Sequence, residues 1–304
     1  MPDIRDLEVF YWVARLGGFR RAAERLHTTQ PAISLRIAGL EERLGVRLLE
    51  RGARLTGLTP KGREFLDYAE RLLRLHAEML DAIATPESLS GIVRLGVAET
   101  IVHTWLARFI ERVHATHPAI TLEIEVDVSP HLSEALLASR LDLAFLLGPV
   151  SEPHMLNLPL CSYPLSFVAG PGLDLGPEPV PLHRLVRWPV ITYPKTTLPY
   201  IQLRQMLMQP ALAPPRIYSS SSLSTIVRMT LDGIGVSVIP AAVIGAELAR
   251  GELRLVRTEV GLPDLAFTAT TPLTPDSSPA QRLARLACAL AAEEDDKQSL
   301  LLSI

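Results

Sequence analysis

The chain has few of the features that mark a secreted, disulfide-stabilised or membrane protein. Only two cysteines, Cys161 and Cys288, occur among the 304 residues, and they lie far apart. No run of about 18 apolar residues is present that could span a bilayer. The N-terminus lacks a basic segment followed by an apolar one, the pattern of a secretory signal. We therefore expect a cytoplasmic protein with reduced thiols and no membrane segment.

Motifs of nucleotide-binding or nucleophilic enzymes are also absent. There is no G-x-G-x-x-G after a predicted strand, since Gly233 and Gly235 precede one, and there is no P-loop, G-x-S-x-G or C-x-x-C. His114 and His117 lie at a predicted helix end, where favourable charge placement explains them better than a metal does. We expect no enzymatic activity, no cofactor and no bound metal.

Residues 19–50 predict two short helices joined by a turn. The first covers about 19–26, and the second begins after Thr29, a natural N-cap, and ends at Gly45. The second helix has one apolar face, formed by Ile33, Ile37, Leu40 and Leu44. Its opposite face is polar near the N-terminus. A helix of this kind enters the DNA major groove in a helix-turn-helix, with its first residues nearest the bases.

Positive charge is concentrated in the same part of the chain. Residues 1–62 carry eleven Lys or Arg and seven Asp or Glu, a balance of +4, whereas the remainder has a balance of −7. After a predicted strand at 46–50, the sequence RGARLTGLTP predicts the wing of a winged helix-turn-helix. A solvated loop is the alternative. The predicted DNA-contacting residues are Arg20, Thr29, Gln30, Pro31, Ala32, Ser34, Arg36, Arg51 and Arg54.

A long helix is predicted from Pro60, ending in a hinge at 85–88. Apolar residues recur along it at alternating steps of four and three, which is the seam of a coiled coil. Such a seam requires a partner, and the same helix of a second chain is the sensible one. Packing against the chain's own body is the alternative. The predicted dimerisation residues are Phe65, Ala69, Leu72, His76, Met79 and Ile83.

From residue 91 onwards, strands alternate with helices, which predicts parallel sheets covered by helices. We expect two lobes, the first at about 91–160 and 266–304 and the second at about 161–265. Ligands bind at the carboxyl ends of such strands. Hydroxyl groups and backbone N–H groups there would suit a carboxylate or another small anion, with Lys195 adding charge, although many serines and threonines before helices are only caps. The predicted effector-binding residues are Glu99, Thr100, Ile101, Ser129, His131, Leu147, Gly148, Tyr193, Thr196, Thr197, Ser219, Ser220 and Ser221.

The run AAERLHTTQPAISLRIAGLEERLGVRLLER, followed by LTPKG, resembles the DNA-binding head of the LysR-type transcriptional regulators. The family pattern is close to AAxxLxxxQPAxSxxIxxLExxLGxxLFxR and then LTxxG. The chain departs from it at Leu49, where Phe is usual, at Arg20, where Ser or Thr is common, and at Leu35, where Arg or Lys is common. The matched positions are Ala22, Ala23, Leu26, Gln30, Pro31, Ala32, Ser34, Ile37, Leu40, Glu41, Leu44, Gly45, Leu48, Arg51, Leu58, Thr59 and Gly62.

The resemblance implies an α+β protein with three parts. These are a winged helix-turn-helix at 1–60, a linker helix and hinge at 61–90, and at 91–304 a two-lobed α/β effector domain similar to periplasmic binding proteins. It also implies double-stranded DNA with a dyad operator as partner, a small-molecule effector, and self-association into a dimer and then a homotetramer. Among the effector residues, the resemblance points first to Thr100. Two alternatives remain: a regulator with no effector, and a redox-responsive one that uses Cys161 or Cys288.

Overall fold

The N-terminal segment folds into helices whose ends are marked by local sequence signals. The computed structural model describes residues 2–50, 57–83, 90–152, 154–208, 214–273 and 278–301. Asp3 and Asp6 form a capping box at the first helix, and Gly17 and Gly45 end the first and third helices with φ values of 66° and 68°. The helices are α1 (Ile4–Leu16), α2 (Phe19–Arg25), α3 (Gln30–Leu44) and α4 (Pro60–Ile83).

The apolar faces of these four helices form one core. Phe10 and Trp12 of α1 are almost completely buried, as are Ile33 and Leu40 of α3. The ring of Phe10 packs edge-on against Phe65 of α4, with 5.1 Å between the centroids. This core fixes α3 against α1, so that the opposite face of α3 is turned to solvent.

The segment after α3 is held by both backbone and side-chain hydrogen bonds. The N–H of Glu50 donates to the carbonyl of Gly57 at 2.9 Å, and the N–H of Thr59 donates to that of Leu48 at 3.0 Å. The Glu41 carboxylate accepts hydrogen bonds from the backbone N–H groups of Leu48 and Leu49, at 2.6 and 3.0 Å. The strand predicted at 46–50 is wrong, since among the described residues the segment contributes only an isolated bridge from Leu49 to Leu58. The predicted wing residues 51–56 lie outside the described residues, as does the hinge at 85–88.

The LTPKG sequence has a structural role at the start of α4. Thr59 accepts a hydrogen bond from the backbone N–H of Gly62 at 2.9 Å, and its hydroxyl donates to the carbonyl of Arg47 at 2.8 Å. A Cβ at Gly62 would lie 2.0 Å from the carbonyl oxygen of Leu48. Only glycine permits this close approach.

The face of α4 that packs inward differs from the predicted seam. Ala69 and Leu73 are each 1% exposed, and Phe65 is half-buried in the same core. The placement of Phe65 and Ala69 on a partner-facing seam is therefore corrected, because α1 already covers them. A different apolar stripe is exposed, formed by Tyr68, Leu72, Leu75 and Met79.

The second unit contains a mixed sheet covered by helices. Its strands are β1 (Gly91–Val97), β2 (Ile120–Val126), β3 (Leu143–Leu147), β4 (Met155–Ala169), β5 (Val190–Thr192), β6 (Ile217–Ser219), β7 (Val236–Pro240), β8 (Arg254–Val256) and β9 (Asp264–Pro272). Its helices are α5 (Glu99–Thr104), α6 (Leu106–Thr116), α7 (Ser129–Leu137), α8 (Leu182–Leu185), α9 (Leu198–Leu207), α10 (Leu223–Leu231), α11 (Gly245–Ala249) and α12 (Ser278–Leu301).

Two long antiparallel strands join the two halves of this sheet. The strand order is β2-β1-β3-β9-β4-β7-β5-β6, and β8 also pairs with β4. Pairing is parallel within β2-β1-β3 and within β7-β5-β6, but antiparallel wherever β4 or β9 takes part. We call the half around β1–β3 lobe I and the half around β5–β8 lobe II.

Most helices and strands of this unit lie where the sequence predicts them, but several bounds differ. The sequence predicts helices at 100–116, 133–139 and 279–292 and a strand at 165–169, whereas α7 begins at Ser129, α12 continues to Leu301 and the short helix α8 is not predicted. The single helix predicted from Thr100 to Thr116 is broken at Trp105, which has φ −134° and ends α5. The ring of Trp105 is buried against Phe109 and Phe145. We attribute the break in the helix to the burial of this ring. The predicted strand at 165–169 is only the end of β4, which begins ten residues earlier at Met155.

The described part of the chain has neither a membrane-spanning helix nor a cluster of metal ligands. No helix there is both long and apolar enough to cross a membrane. No group of three or more His, Cys, Asp or Glu side chains is arranged there to hold a metal ion.

Candidate DNA-binding surface and effector cleft

The N-terminal turn of α3 presents a polar, solvent-exposed surface. Thr29 caps the helix, accepting a hydrogen bond from the backbone N–H of Ala32 at 3.4 Å. Gln30, Pro31, Ala32 and Ser34 are all exposed. Since Ile33 and Ile37 are buried on the other side, this surface is fixed in orientation by the core.

Of the four predicted arginine contacts, the structure describes two, Arg20 and Arg36, and their surroundings differ. Arg36 is only partly exposed and pairs with the buried carboxylate of Asp6 at 3.2 Å, and Arg43 pairs with the same carboxylate. Arg20 is 85% exposed and pairs with Glu24 on its own helix. Arg51 and Arg54 fall outside the described residues. Arg36 thus links α3 to α1, a role that its position in the sequence does not reveal.

In the second unit, the first turn of α5 connects the two lobes. The Glu99 carboxylate of lobe I accepts a hydrogen bond from the backbone N–H of Leu223, the first residue of α10 in lobe II, at 2.5 Å. The hydroxyl oxygens of Thr100 and Tyr193 lie 3.5 Å apart, again across the lobes. The loop after β1 therefore meets the loops after β5 and β6, as the rule for parallel strands predicts.

Two adjoining cavities lie between the lobes at this point. The smaller, about 40 Å³, is lined by Ala98, Glu99, Thr100, Asp127, Val128, Ser129, Leu147, Tyr193, Thr197, Pro199, Ser221, Leu265 and Phe267. The larger, about 500 Å³, adds Pro130, Ser133, Leu137, Gly148, Pro149, Val150, Ser151, Glu152, Leu198, Gln202, Asp264 and Ala266. The two share five lining residues, so they form one cleft, which we call the effector cleft.

The cleft includes eight of the thirteen predicted effector residues, and the other five are not among its lining residues. Ile101 is fully buried in the core of lobe I. His131 is exposed and lies 3.1 Å from the carboxylate of Asp127. Thr196 and Ser219 are exposed elsewhere. The Ser220 hydroxyl is bonded to its own turn, where it accepts from the N–H of Ser222 at 3.1 Å.

Several hydroxyl groups in the cleft already serve the local backbone. Ser129 accepts a hydrogen bond from the N–H of Leu147 at 2.9 Å, and Thr197 donates to the carbonyl of Pro194 at 2.7 Å. In the serine run, Ser222 is the cap of α10 and only Ser221 lines the cleft. The capping interpretation therefore applies to Ser222, while Thr100 and Ser221 remain the hydroxyls best placed for a ligand.

The charge of the cleft is negative. Glu99 and Asp127 line its smaller part, and Glu152 and Asp264 line the larger part. No Lys, Arg or His occurs among the lining residues that the structure describes. Lys195, expected to add positive charge, lines a separate surface cavity with Tyr200 and Arg204. The expectation of an anionic ligand therefore lacks its electrostatic basis.

Tyr193 remains a neutral phenol in this environment. Burial raises the pKa of the Tyr193 hydroxyl well above its ordinary value, because the charged form would lose its hydration. The hydrogen bond to Thr100 acts on the pKa in the opposite direction, and the nearby Glu99 carboxylate raises it further. Tyr193 thus offers the cleft a hydrogen-bonding hydroxyl and an uncharged aromatic ring.

Some residues that line the cleft were not predicted. Asp127 directly follows β2, so the rule that ligands bind at the carboxyl ends of strands, which led to Ser129, also applies to Asp127. Leu265 and Phe267 come from β9, more than 100 residues along the chain from β2, and alternate so that both face the cleft. Only their two-residue spacing hints at a shared face, and no sequence signal shows which cavity that face lines.

The two cysteines lie in settings that do not favour reactive thiolates. Cys161 is 9% exposed within the core, and neither cysteine forms a disulfide. The Cys288 thiol donates to the carbonyl of Pro159 at 3.3 Å, and partial burial raises the pKa of this thiol. A raised pKa leaves the nucleophilic thiolate scarce at neutral pH.

Both parts of the chain match known protein families. Residues 4–63 match the family described as "Bacterial regulatory helix-turn-helix protein, lysR family", and residues 86–291 match the "LysR substrate binding domain". The SDS degradation transcriptional activation protein of a Pseudomonas species is 31% identical over 86% of this chain and 87% of its own length. The transcriptional regulator BenM of Acinetobacter baylyi is 27% identical over 81% and 83%.

Solved structures show the same fold. A full-length OxyR variant from Pseudomonas aeruginosa superposes with a TM-score of 0.62 at 23% identity, covering 96% of this chain and 95% of its own. Full-length BenM gives a TM-score of 0.56 at 24% identity, covering 97% and 98%. The relatives are transcriptional regulators rather than enzymes, which agrees with the prediction of no catalytic activity. The exposed helix surface, the cleft between two lobes and both family matches show that this chain belongs to the LysR family of bacterial transcriptional regulators.

Proposed function

We propose that this regulator reads a specific DNA sequence through the first turn of α3. The observation that carries the proposal is the exposed surface formed by Thr29, Gln30 and Ser34 on a helix held by a buried core. Gln30 has the amide that pairs with adenine in the major groove. The exposed arginine Arg20, and Arg51 and Arg54 of the predicted wing, would contact phosphates.

Arg36 contributes to this proposal in a different way. Its guanidinium is held by Asp6, so the pair fixes the position of α3 relative to α1 and places less charge at the DNA. We assign Arg36 to positioning the reading helix and leave direct contacts to the residues of its first turn.

The protein would act in the cytoplasm as a dimer. The exposed stripe Tyr68, Leu72, Leu75 and Met79 has spacings of four, three and four, which is the seam of a coiled coil. Paired through this stripe, two chains would present two reading helices to a dyad operator. Pairing of two dimers into a tetramer is the further step that the LysR family suggests.

A small molecule in the effector cleft would modulate DNA binding. Glu99 and Thr100 contact lobe II directly, so a ligand bound beside them alters the contacts that join the lobes. A ligand shifts a conformational equilibrium only by its difference in affinity for the two states, and a cleft whose walls belong to two lobes supplies such a difference.

The test of sequence-specific reading begins with selection of binding sites from fragmented genomic DNA. Fluorescence anisotropy then compares the selected site with random DNA at fixed salt. We expect Gln30→Ala to weaken binding to the selected site by about tenfold and to leave binding to random DNA nearly unchanged. Gln205→Ala, at an exposed position in the second unit, is the matched control. Equal losses on both DNAs would contradict base reading by Gln30.

A further inference from the structure

Glu99 occupies the position that an anionic ligand would need. An N-terminal helix turn has unpaired N–H groups and a partial positive charge, and it commonly binds a carboxylate or phosphate. At α10, a helix of nine residues, this place is filled by the chain itself, because Glu99 Oε2 lies 2.5 Å from the backbone nitrogen of Leu223. The carboxylate comes from the opposite lobe, so it also bridges the cleft.

The second carboxylate oxygen of Glu99 is turned to a different neighbour. Oε1 lies 3.7 Å from Nε2 of His103, which is longer than a hydrogen bond. The Glu99 side chain keeps about a fifth of its surface exposed, at 21%. A carboxylate has lone pairs on both oxygens, so Oε1 is able to accept a hydrogen bond from a ligand while Oε2 remains on α10.

The remaining walls of the smaller cavity favour a positive group over a negative one. Asp127 lines the same cavity and is bonded to the N–H of Val128 at 2.6 Å and to His131 at 3.1 Å, the histidine being on the exposed side. Tyr193 and Phe267 add aromatic rings to the lining. A third negative charge here would face two carboxylates, whereas an ammonium group would meet both carboxylates and aromatic rings.

We propose that Glu99 determines the specificity of the effector cleft, excluding carboxylate ligands and selecting a small molecule that carries a protonated amine. The amine points into the smaller cavity, beside Glu99, Thr100 and Tyr193. The rest of the ligand extends into the larger cavity of about 500 Å³, within the range of small-molecule sites. This inference rests on the proposed effector cleft and names the chemistry of its ligand.

The test uses paired probes that differ only in the charged group. A panel of primary amines, beginning with benzylamine and butylamine, is compared with carboxylates of matching skeleton, beginning with benzoate and butyrate, by thermal shift of the full chain. We expect members of the amine series to raise the melting temperature and the carboxylates to leave it unchanged. Stabilisation by carboxylates, or by neither series, would overturn the proposal.

Two substitutions of Glu99 separate its charge from its contact with lobe II. Glu99→Gln keeps an oxygen that accepts from the N–H of Leu223 but removes the charge, so amine affinity should fall by about tenfold or more. Glu99→Ala also exposes the N-terminus of α10, so carboxylates should begin to stabilise the protein. Glu125→Gln, on the exposed strand β2, makes the same charge change outside the cleft and should retain the preference for amines.

The outcomes also separate this inference from the proposed function. If an amine binds through Glu99 but leaves the affinity for selected DNA unchanged, the specificity assignment holds and effector control of DNA binding fails. If carboxylates bind and alter DNA affinity, effector control holds and the role of Glu99 fails. Unchanged amine affinity in Glu99→Gln would likewise overturn the role of Glu99.

Discussion

At the scale of single residues, carboxylates shielded from solvent organise both units. Asp6 is 3% exposed and holds Arg36 and Arg43 of α3 against α1, while Glu99 joins the two lobes. A carboxylate removed from water is tolerated only when its charge is paired or hydrogen-bonded. These acids lie in sequence contexts that look like solvated helix starts, so their roles were visible only in the structure.

Replacement of Asp6 tests its role in the first unit. Asp6→Asn removes the charge that pairs with Arg36 and Arg43, leaves Arg36 only its longer contact with Asp3 at 3.6 Å, and weakens the capping box. The first unit should therefore lose about 1–3 kcal/mol of its free energy of unfolding. Urea denaturation monitored by circular dichroism measures the loss. Asp67→Asn, the same change at an exposed position of α4, is expected to alter stability by less than about 0.5 kcal/mol. Similar stabilities of the two variants would contradict the account.

Thr100 is the residue-scale test of the cleft. Thr100→Val keeps the shape of the side chain but removes the hydroxyl that faces Tyr193. We expect stabilisation by an effector to fall by at least about 1 kcal/mol, the net contribution of a hydrogen bond. Thermal shift at saturating ligand measures it, with Thr116→Val on the exterior of α6 as control. If the ligand stabilises Thr100→Val as much as the native chain, the ligand does not bind beside Thr100.

Cys288 tests the redox alternative. Because partial burial raises the pKa of its thiol, the thiolate is scarce at pH 7 and alkylation should be slower than that of a free cysteine. The rate of alkylation of Cys288 is measured at several pH values by treating the protein with iodoacetamide, quenching samples at intervals and analysing them by mass spectrometry. Alkylation faster than that of free cysteine at pH 7 would revive the redox interpretation.

At the scale of helices and strands, bounds were predictable wherever the signal is local. Thr29 and Gly45 mark the ends of α3 because capping depends on residues within one turn. The seam of α4 failed at Phe65 and Ala69, since periodicity shows that a face is apolar but not which neighbour covers it. The break at Trp105 depends on Phe145, a residue forty positions away, so it could not be predicted from the local sequence.

The exposed stripe of α4 is tested by its effect on oligomeric state. Leu72→Glu places a charge in the middle of the stripe, and burying an unpaired charge at a dimer interface costs several kcal/mol. We expect sedimentation to show dimers for the native chain and monomers for this variant. Leu72→Ile keeps the position apolar and should remain dimeric. A Leu72→Glu protein that stays dimeric would place the interface on another surface.

At the scale of the whole molecule, the chain divides into units with different chemical tasks. The basic N-terminal unit exposes the first turn of α3, and the acidic C-terminal unit contains a cleft that is lined by carboxylates. The sequence predicts both a division of the chain and a cleft at the strand ends, because charge balance and the strand-end rule use features of the whole chain. The sign of the charge in the cleft was not predictable from the sequence, because it depends on where Lys195, Asp127 and Asp264 lie in the folded chain.

Effector control of DNA binding is tested most directly by the fluorescence anisotropy of the selected DNA site, measured with and without a ligand that stabilises the protein. We predict that the ligand changes the affinity of the native chain for this DNA by at least about fivefold, the lower end of ordinary coupling between sites. At the same ligand concentration, we expect a smaller change in the DNA affinity of Thr100→Val. An unchanged DNA affinity in the native chain, despite saturating ligand, would contradict effector control of this regulator.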